Sequence, residues 1–170
     1  MEKQPEQTSL SDTASVWNIL RRVPDPEIPV LNVVEMGIIR SVHVNGTAAE
    51  IGITPTYSGC PAMDVIGDEV KRSLLQNGYN TVTIKQVLSP AWTTDWLTDD
   101  AREKLRLYGI APPEHSTAEK AALQGAGKNV NCPRCRSPHT HMISNFGSTA
   151  CKALWQCDDC KEPFDYFKCI

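Results

Sequence analysis

Polar and apolar residues alternate from Glu50 to Thr54, and then Met63, Ile66, Val70 and Leu74 recur at helical spacing. This predicts a half-buried strand feeding an amphipathic helix through a short corner. Upstream, Val16, Ile19, Leu20 and Val23 form one apolar stripe with Trp17 at its edge, a helix that Ser11 can cap and Pro24 stops. Strands over Ile38–Val44 and Ala48–Thr54 flank Asn45-Gly46, a hairpin signal. A third strand is predicted over Thr81–Leu88 and a third helix over Thr98–Leu107, with Gly109 as its stop and Pro112-Pro113 beyond. The order is α-β-β-α-β-α. Residues 111–128 hold scarcely any large apolar side chain and read as a flexible linker. Short strands follow in Thr140–Phe146, Ala153–Gln156 and Phe164–Lys168. The fold class is α+β, a small α/β sandwich domain over residues 11–110 followed by a second unit over 129–170.

The corner holds Pro55-Thr-Tyr-Ser-Gly-Cys-Pro-Ala-Met63 and so places one thiol, Cys60, at a helix N-terminus. Pro61 suits the first helical position, Asp64, Asp68 and Glu69 suit the first turns, and Asn77-Gly78 suits the end. The helix dipole and the free amides of the first turn favour thiolate, the form that attacks electrophiles and binds metals. The alternative is a small residue packed under the corner. Ahead of the strands, Pro24, Pro26 and Pro29 stiffen a loop that carries Asp25 and Glu27, two carboxylates either presented to a ligand or simply solvated. His43 alternates with Val42 and Val44 and is expected to face solvent. The Ser89–Trp96 loop carries Trp92 and Trp96, which either cover the open face of the sheet or anchor a partner.

Composition narrows the setting. A chain of 170 residues with 41% hydrophobic content can bury a core, and a net charge of -3 gives no general field for nucleic acid or anionic lipid. No stretch reaches the roughly 18 uninterrupted apolar residues of a membrane helix, and the first residues lack a signal-peptide core. A cytoplasmic, membrane-independent protein is expected. Six of the seven cysteines follow residue 130, which points to a metal site in a reducing compartment.

Cys132-Pro-Arg-Cys135 and Cys157-Asp-Asp-Cys160 are two C-x-x-C knuckles 21 residues apart. One tight turn aims each pair of sulfurs at one ion, and two such turns close a tetrahedral zinc site on a ribbon of three strands. An iron centre on the same sulfurs is the minor alternative. A unit of this size buries too little surface to fold alone, so the metal is expected to supply much of its stability. Cys151 and Cys169 remain over, either packed or acting as auxiliary thiols beside Lys152 and Lys168. His139 and His141 could substitute as ligands, but four cysteines already close the shell. Five basic residues, Arg134, Arg136, Lys152, Lys161 and Lys168, meet Asp158, Asp159, Glu162 and Asp165, and a four-thiolate zinc leaves the ribbon at about -1. Nucleic acid is therefore not an expected partner.

The loop Asp25-Pro-Glu-Ile-Pro29, the hairpin, and Thr56 with Gly59-Cys60-Pro61 resemble the small domain of SufT-type iron-sulfur assembly factors. Thr54–Pro61, Pro90–Trp96, Phe146–Lys152 and Glu162–Cys169 resemble, more narrowly, the PaaD family of the phenylacetyl-CoA epoxidase system. The resemblance implies a non-catalytic accessory factor of aerobic phenylacetate catabolism that helps mature the iron-sulfur centre of the epoxidase reductase component. It also implies a transient cluster or iron at Cys60, with Asp25, Glu27 and Thr56 nearby, and structural zinc in the ribbon. A single cysteine cannot complete a cluster's ligand shell, which takes four ligands. The implied partners are the reductase component and the other epoxidase subunits, and a homodimer is a further expectation. The rival reading is a structural or regulatory subunit with Cys60 buried. A thiol enzyme ranks below both, because no general base stands out.

Overall fold

The computed structural model describes residues 10–57, 59–113 and 130–168. The chain divides into two compact units, residues 1–55 with 59–91, and residues 56–58 with 92–170. The first contains α1 (Leu10–Leu20), β1 (Ile39–Asn45), β2 (Ala48–Ile53), α2 (Ala62–Gln76) and β3 (Thr81–Gln86). Helix α1 begins at Leu10, so Ser11 lies in its first turn and not at the cap. Val16, Leu20 and Val23 are buried as the stripe predicts, while Ile19 is half-buried. β1 and β2 pair antiparallel across the tight turn at Gly46, whose φ of 58° is the left-handed conformation that glycine adopts without strain. β2 and β3 pair parallel, and α2 supplies the crossover. α2 closes at Gly78, φ 96°, where the amides of Gly78 and Tyr79 return to the carbonyls of Leu75 and Leu74. Its buried residues Met63, Ile66, Val70 and Leu74 are the predicted helical stripe.

The second unit begins at Trp92 and takes in a 3-10 turn (Thr94–Trp96), α3 (Asp99–Tyr108) and β4 (Ile110–Ala111) ahead of β5 (Thr140–Ser144), β6 (Lys152–Cys157) and β7 (Pro163–Phe167). The predicted third helix is present, capped by the Thr98 hydroxyl and ended by Gly109 at φ 95°. The expected first domain ran to residue 110, yet α3 and β4 belong with the ribbon. The physical reason is β4, whose two residues pair parallel with Asp165 and Tyr166 of β7. The ribbon is accordingly a four-stranded sheet, ordered β4-β7-β6-β5, and not the three strands expected. Arg102 braces the same junction by donating to the carbonyls of Thr94, at 2.6 Å, and Pro113. Trp92 is buried and meets Phe167 of β7 edge-on at 6.0 Å, so it packs within the ribbon unit. Trp96 is half-buried. Ala111, Val130, Ala153, Trp155, Phe164 and Tyr166 close a core around Cys132 and Cys157. The expected linker lies, beyond residue 113, outside the described residues.

Candidate functional site

The two knuckles repeat one backbone design. The Arg136 amide donates to the Cys132 carbonyl at 2.9 Å, and the Lys161 amide to the Cys157 carbonyl at 3.0 Å. The return bonds run from Cys132 to Ser137 and from Cys157 to Glu162. Arg136 and Lys161 both sit at φ 63°, a left-handed conformation uncommon outside glycine. Two similar turns thus deliver four sulfurs to one point. The Cys132 and Cys160 sulfurs are 3.7 Å apart, those of Cys135 and Cys157 3.5 Å, and all four lie within 4.8 Å of one another. A tetrahedral ion with Zn–S bonds of about 2.3 Å spaces its sulfurs by about 3.8 Å, so the set fits zinc. Cys132 and Cys157 are buried in the hydrophobic core of the unit.

The electrostatics also call for a cation. Amides of Cys160 and Asp159 point at the Cys157 sulfur and bring its thiol down to about 7. The Glu162 amide pulls Cys160 the same way, but desolvation and the neighbouring sulfurs override it and push that thiol up to about 12. Cys135 is raised too, despite the Ser137 amide. The Cys157 thiolate is stabilised while Cys135 and Cys160 resist, the behaviour of sulfurs gathered for a metal that would neutralise them together.

Around the second knuckle the side chains form a clamp that the sequence did not announce. His141 Nδ1 contacts Asp158 Oδ1 at 2.9 Å, and His139 Nδ1 contacts Asp159 Oδ2 at 3.2 Å. The Ser137 hydroxyl also donates to Asp159, and it and His139 hold that carboxyl below its ordinary range. Both histidines therefore grip the residues between Cys157 and Cys160 and are not substitute ligands. The available signal was the Asp-Asp pair inside one knuckle with histidines two apart on the facing strand.

The auxiliary thiols part company. Cys151 is buried with its sulfur 3.0 Å from Thr149 Oγ1, and Cys169 lies outside the described residues. The lysines expected beside them have other bonds. Buried Lys152 reaches Ser148 Oγ at 3.0 Å, which in turn donates to Asp165 at 2.9 Å, and Lys168 lies over the Phe146 ring at 4.6 Å.

In the first unit, β2 ends at Ile53, and the buried Thr54 donates its amide to Ile38. Gly59, φ 78°, turns the chain, Pro61 occupies the cap position one residue earlier than expected, and α2 starts at Ala62. Cys60 is partly exposed there, with its carbonyl accepting from Met63 at 3.3 Å. Asp25 is only 5% exposed, and its Oδ1 accepts from the amides of Glu27 at 2.9 Å and Ile28 at 2.8 Å. That oxygen holds the loop that sinks Ile28 and Leu31 into the core. Glu27 is half-buried, and Thr56, also half-buried, falls in the second unit. His43 faces solvent, as its alternation predicts.

Two family models match the chain, an iron-sulfur cluster assembly protein model over residues 13–85 and a PaaD zinc beta ribbon domain over residues 116–168. A protein of Escherichia coli (strain K12), named as a putative component of the 1,2-phenylacetyl-CoA epoxidase, is 52% identical over 155 residues, covering 91% of this chain and 92% of its own. An "Fe-S protein maturation auxiliary factor" of Porphyromonas gingivalis is 33% identical over 98 residues, 56% of this chain and 92% of that protein. Among solved structures, the crystal structure of a domain of unknown function, DUF59, from Bacillus anthracis superposes with a TM-score of 0.53 at 26% identity, covering 56% of this chain and 92% of that one. No helix among the described residues is long and apolar enough to cross a membrane.

Proposed function

This chain belongs to the PaaD family of the phenylacetyl-CoA epoxidase system, and from that membership we propose that it is an accessory maturation factor and not a catalyst. Its task is to help assemble the iron-sulfur centre of the epoxidase reductase component in phenylacetate breakdown. What carries this reading is the pairing of an iron-sulfur assembly domain with a zinc ribbon in one chain, the first matched also by a relative named for Fe-S protein maturation. Cys60 is the thiol we assign to iron or cluster, the cargo of the reaction. It is partly exposed at the end of a strand and the start of a helix, where first-turn amides and the dipole stabilise negative charge on a ligand sulfur. One sulfur leaves the remaining ligand positions to the client, so the cargo is held in common during transfer. The ribbon holds zinc through Cys132, Cys135, Cys157 and Cys160, and its role is to present a rigid surface to the client.

The test is the iron and acid-labile sulfide content of the reductase component from cells carrying wild-type protein or Cys60→Ser. The variant should lower both while leaving the ribbon's zinc at about one per chain. Unchanged cluster content would sink the transfer role. The name of the Escherichia coli relative favours a second reading, a structural component of the epoxidase itself. Co-purification with the epoxidase at fixed stoichiometry, with Cys60→Ser indifferent, would select it.

A further inference from the structure

The sheet of the first unit is ordered β1-β2-β3, and no strand among the described residues pairs with the outer edge of β3. The amides of Thr81 and Val87 donate inward, to Thr47 and Ile53. Backbone groups alternate along a strand, so Val82, Ile84 and Gln86 turn theirs outward. Beside this edge lies a cleft of about 580 Å³ between β3 and α2, floored by Ile53, Met63, Val82 and Ile84. Gly67 helps to open it. A Cβ there would meet Ile84 and Ile53 only at 3.7 and 3.9 Å, so no close packing demands the missing side chain.

The rim of the cleft is one helical stripe, Asp64, Asp68 and Lys71, acidic toward the N-terminus of α2 and basic toward its C-terminus. The ion pairs of the described residues leave all three untouched. Such a stripe complements itself when reversed. We propose that two copies of this chain join through β3, antiparallel about a two-fold axis at Thr83. Val82 then exchanges hydrogen bonds with Ile84 of the second copy, and the two three-stranded sheets become one of six strands. Because Gly67 sits over both Ile53 of β2 and Ile84 of β3, α2 lies near the new seam. Adding one strand spacing brings the two α2 helices about 10 Å apart, ordinary helix packing, over the apolar floor of both clefts. Antiparallel helices set Asp64 opposite Lys71 of the second copy, twice. The Asp68 pair meets near the axis and opposes association.

The geometry has a consequence for the thiol. β2 and β3 run parallel, so Cys60 follows the end of the sheet that Gln86 marks. In the antiparallel dimer the two Cys60 corners stand at opposite ends of β3, about 20 Å apart for a six-residue strand, and each serves its own client.

Sedimentation velocity and light scattering on the zinc-loaded full-length protein, from about 1 to about 100 µM, should show a mass of two chains at the upper end. Lys71→Glu and Asp64→Lys should each weaken association about tenfold, since each disrupts two symmetry-related pairs. The double variant Asp64→Lys/Lys71→Glu should return to within about threefold of wild type, the coupling that only facing residues show. Asp68→Asn should tighten the dimer severalfold. All four are surface changes that leave the core intact. A one-chain mass at the highest concentration would overturn the proposal and leave the cleft to a client strand. Additive weakening in the double variant, or an Asp68→Asn protein that associates no more tightly, would overturn it as well.

Discussion

Four sulfurs held 3.5 to 4.8 Å apart cannot all carry charge unless a cation lies between them. In the metal-free ribbon Cys157, brought down to about 7, lends stability above the ordinary thiol value of 9.0, and that stability is lost as pH falls through about 7. Cys160, pushed up to about 12, has the opposite sign; its contribution is full below 9.0 and fades as pH rises toward about 12. Zinc binds thiolates and displaces their protons, so zinc binding should release protons, with affinity rising as pH rises. Calorimetry in buffers of different ionisation enthalpy counts them, and fewer than two would argue against four thiolate ligands. The Asp25 carboxylate is a different case, buried and spent on two amides. Asp25→Ala should cost about 1–3 kcal/mol in chemical denaturation by stranding those donors, whereas Asp25→Asn, which keeps an accepting oxygen, should cost less. Equal losses would show that the charge, not the turn, matters. The gathering of the four ribbon cysteines was legible in the sequence because spacing alone defines the knuckle, while the burial of Asp25 follows from a turn geometry that Asp-Pro-Glu-Ile-Pro does not announce.

At the scale of elements, two glycines in the first unit make opposite demands. Gly52 lies in β2, where an added Cβ would clash with Ser41 Oγ and fall 3.1 Å from Val87 Cγ2. Gly67 lies in the middle of α2, with room for a methyl group. Gly52→Ala should therefore destabilise the unit by about 1–3 kcal/mol through overpacking, and Gly67→Ala should stabilise it by about 0.5–1 kcal/mol through helix propensity. Urea midpoints at constant m read both, and a stabilising Gly52→Ala would mean that β1 yields freely at Ser41. The elements themselves were legible wherever local chemistry marks a boundary: the turn at Asn45-Gly46, the end of α2 at Gly78, the Thr98 cap and Gly109 of α3. The two-residue strand β4 was not, because its only reason to exist is pairing with Asp165 and Tyr166, more than 50 positions downstream. That one missed strand also misplaced α3, whose sequence is a good helix in either unit.

For the molecule as a whole, the division at residue 92 decides what the metal stabilises. If zinc held only residues 129–170, its removal would leave α3 protected. The structure ties α3 to the ribbon instead: β4 follows directly from its Gly109 cap, Arg106 reaches the Pro133 carbonyl of the first knuckle at 3.3 Å, and Arg102 joins Thr94 to the segment before the linker. The first unit has its own core, in which Val16, Leu20, Ile51, Ile66 and Leu74 are buried within a sheet and helices that include none of the metal ligands. Chelating the zinc should therefore unfold one cooperative block and spare the other, so that the protein melts in two transitions and only one depends on metal. Amide exchange followed by mass spectrometry resolves the two. Peptides of α3, β6 and β7 should lose protection together on chelation, while those of β1, β2 and α2 keep theirs. Loss confined to the ribbon strands would place α3 with the first unit after all, and loss throughout would make the chain a single cooperative body in which the ribbon's zinc also sets the stability of the corner that presents Cys60.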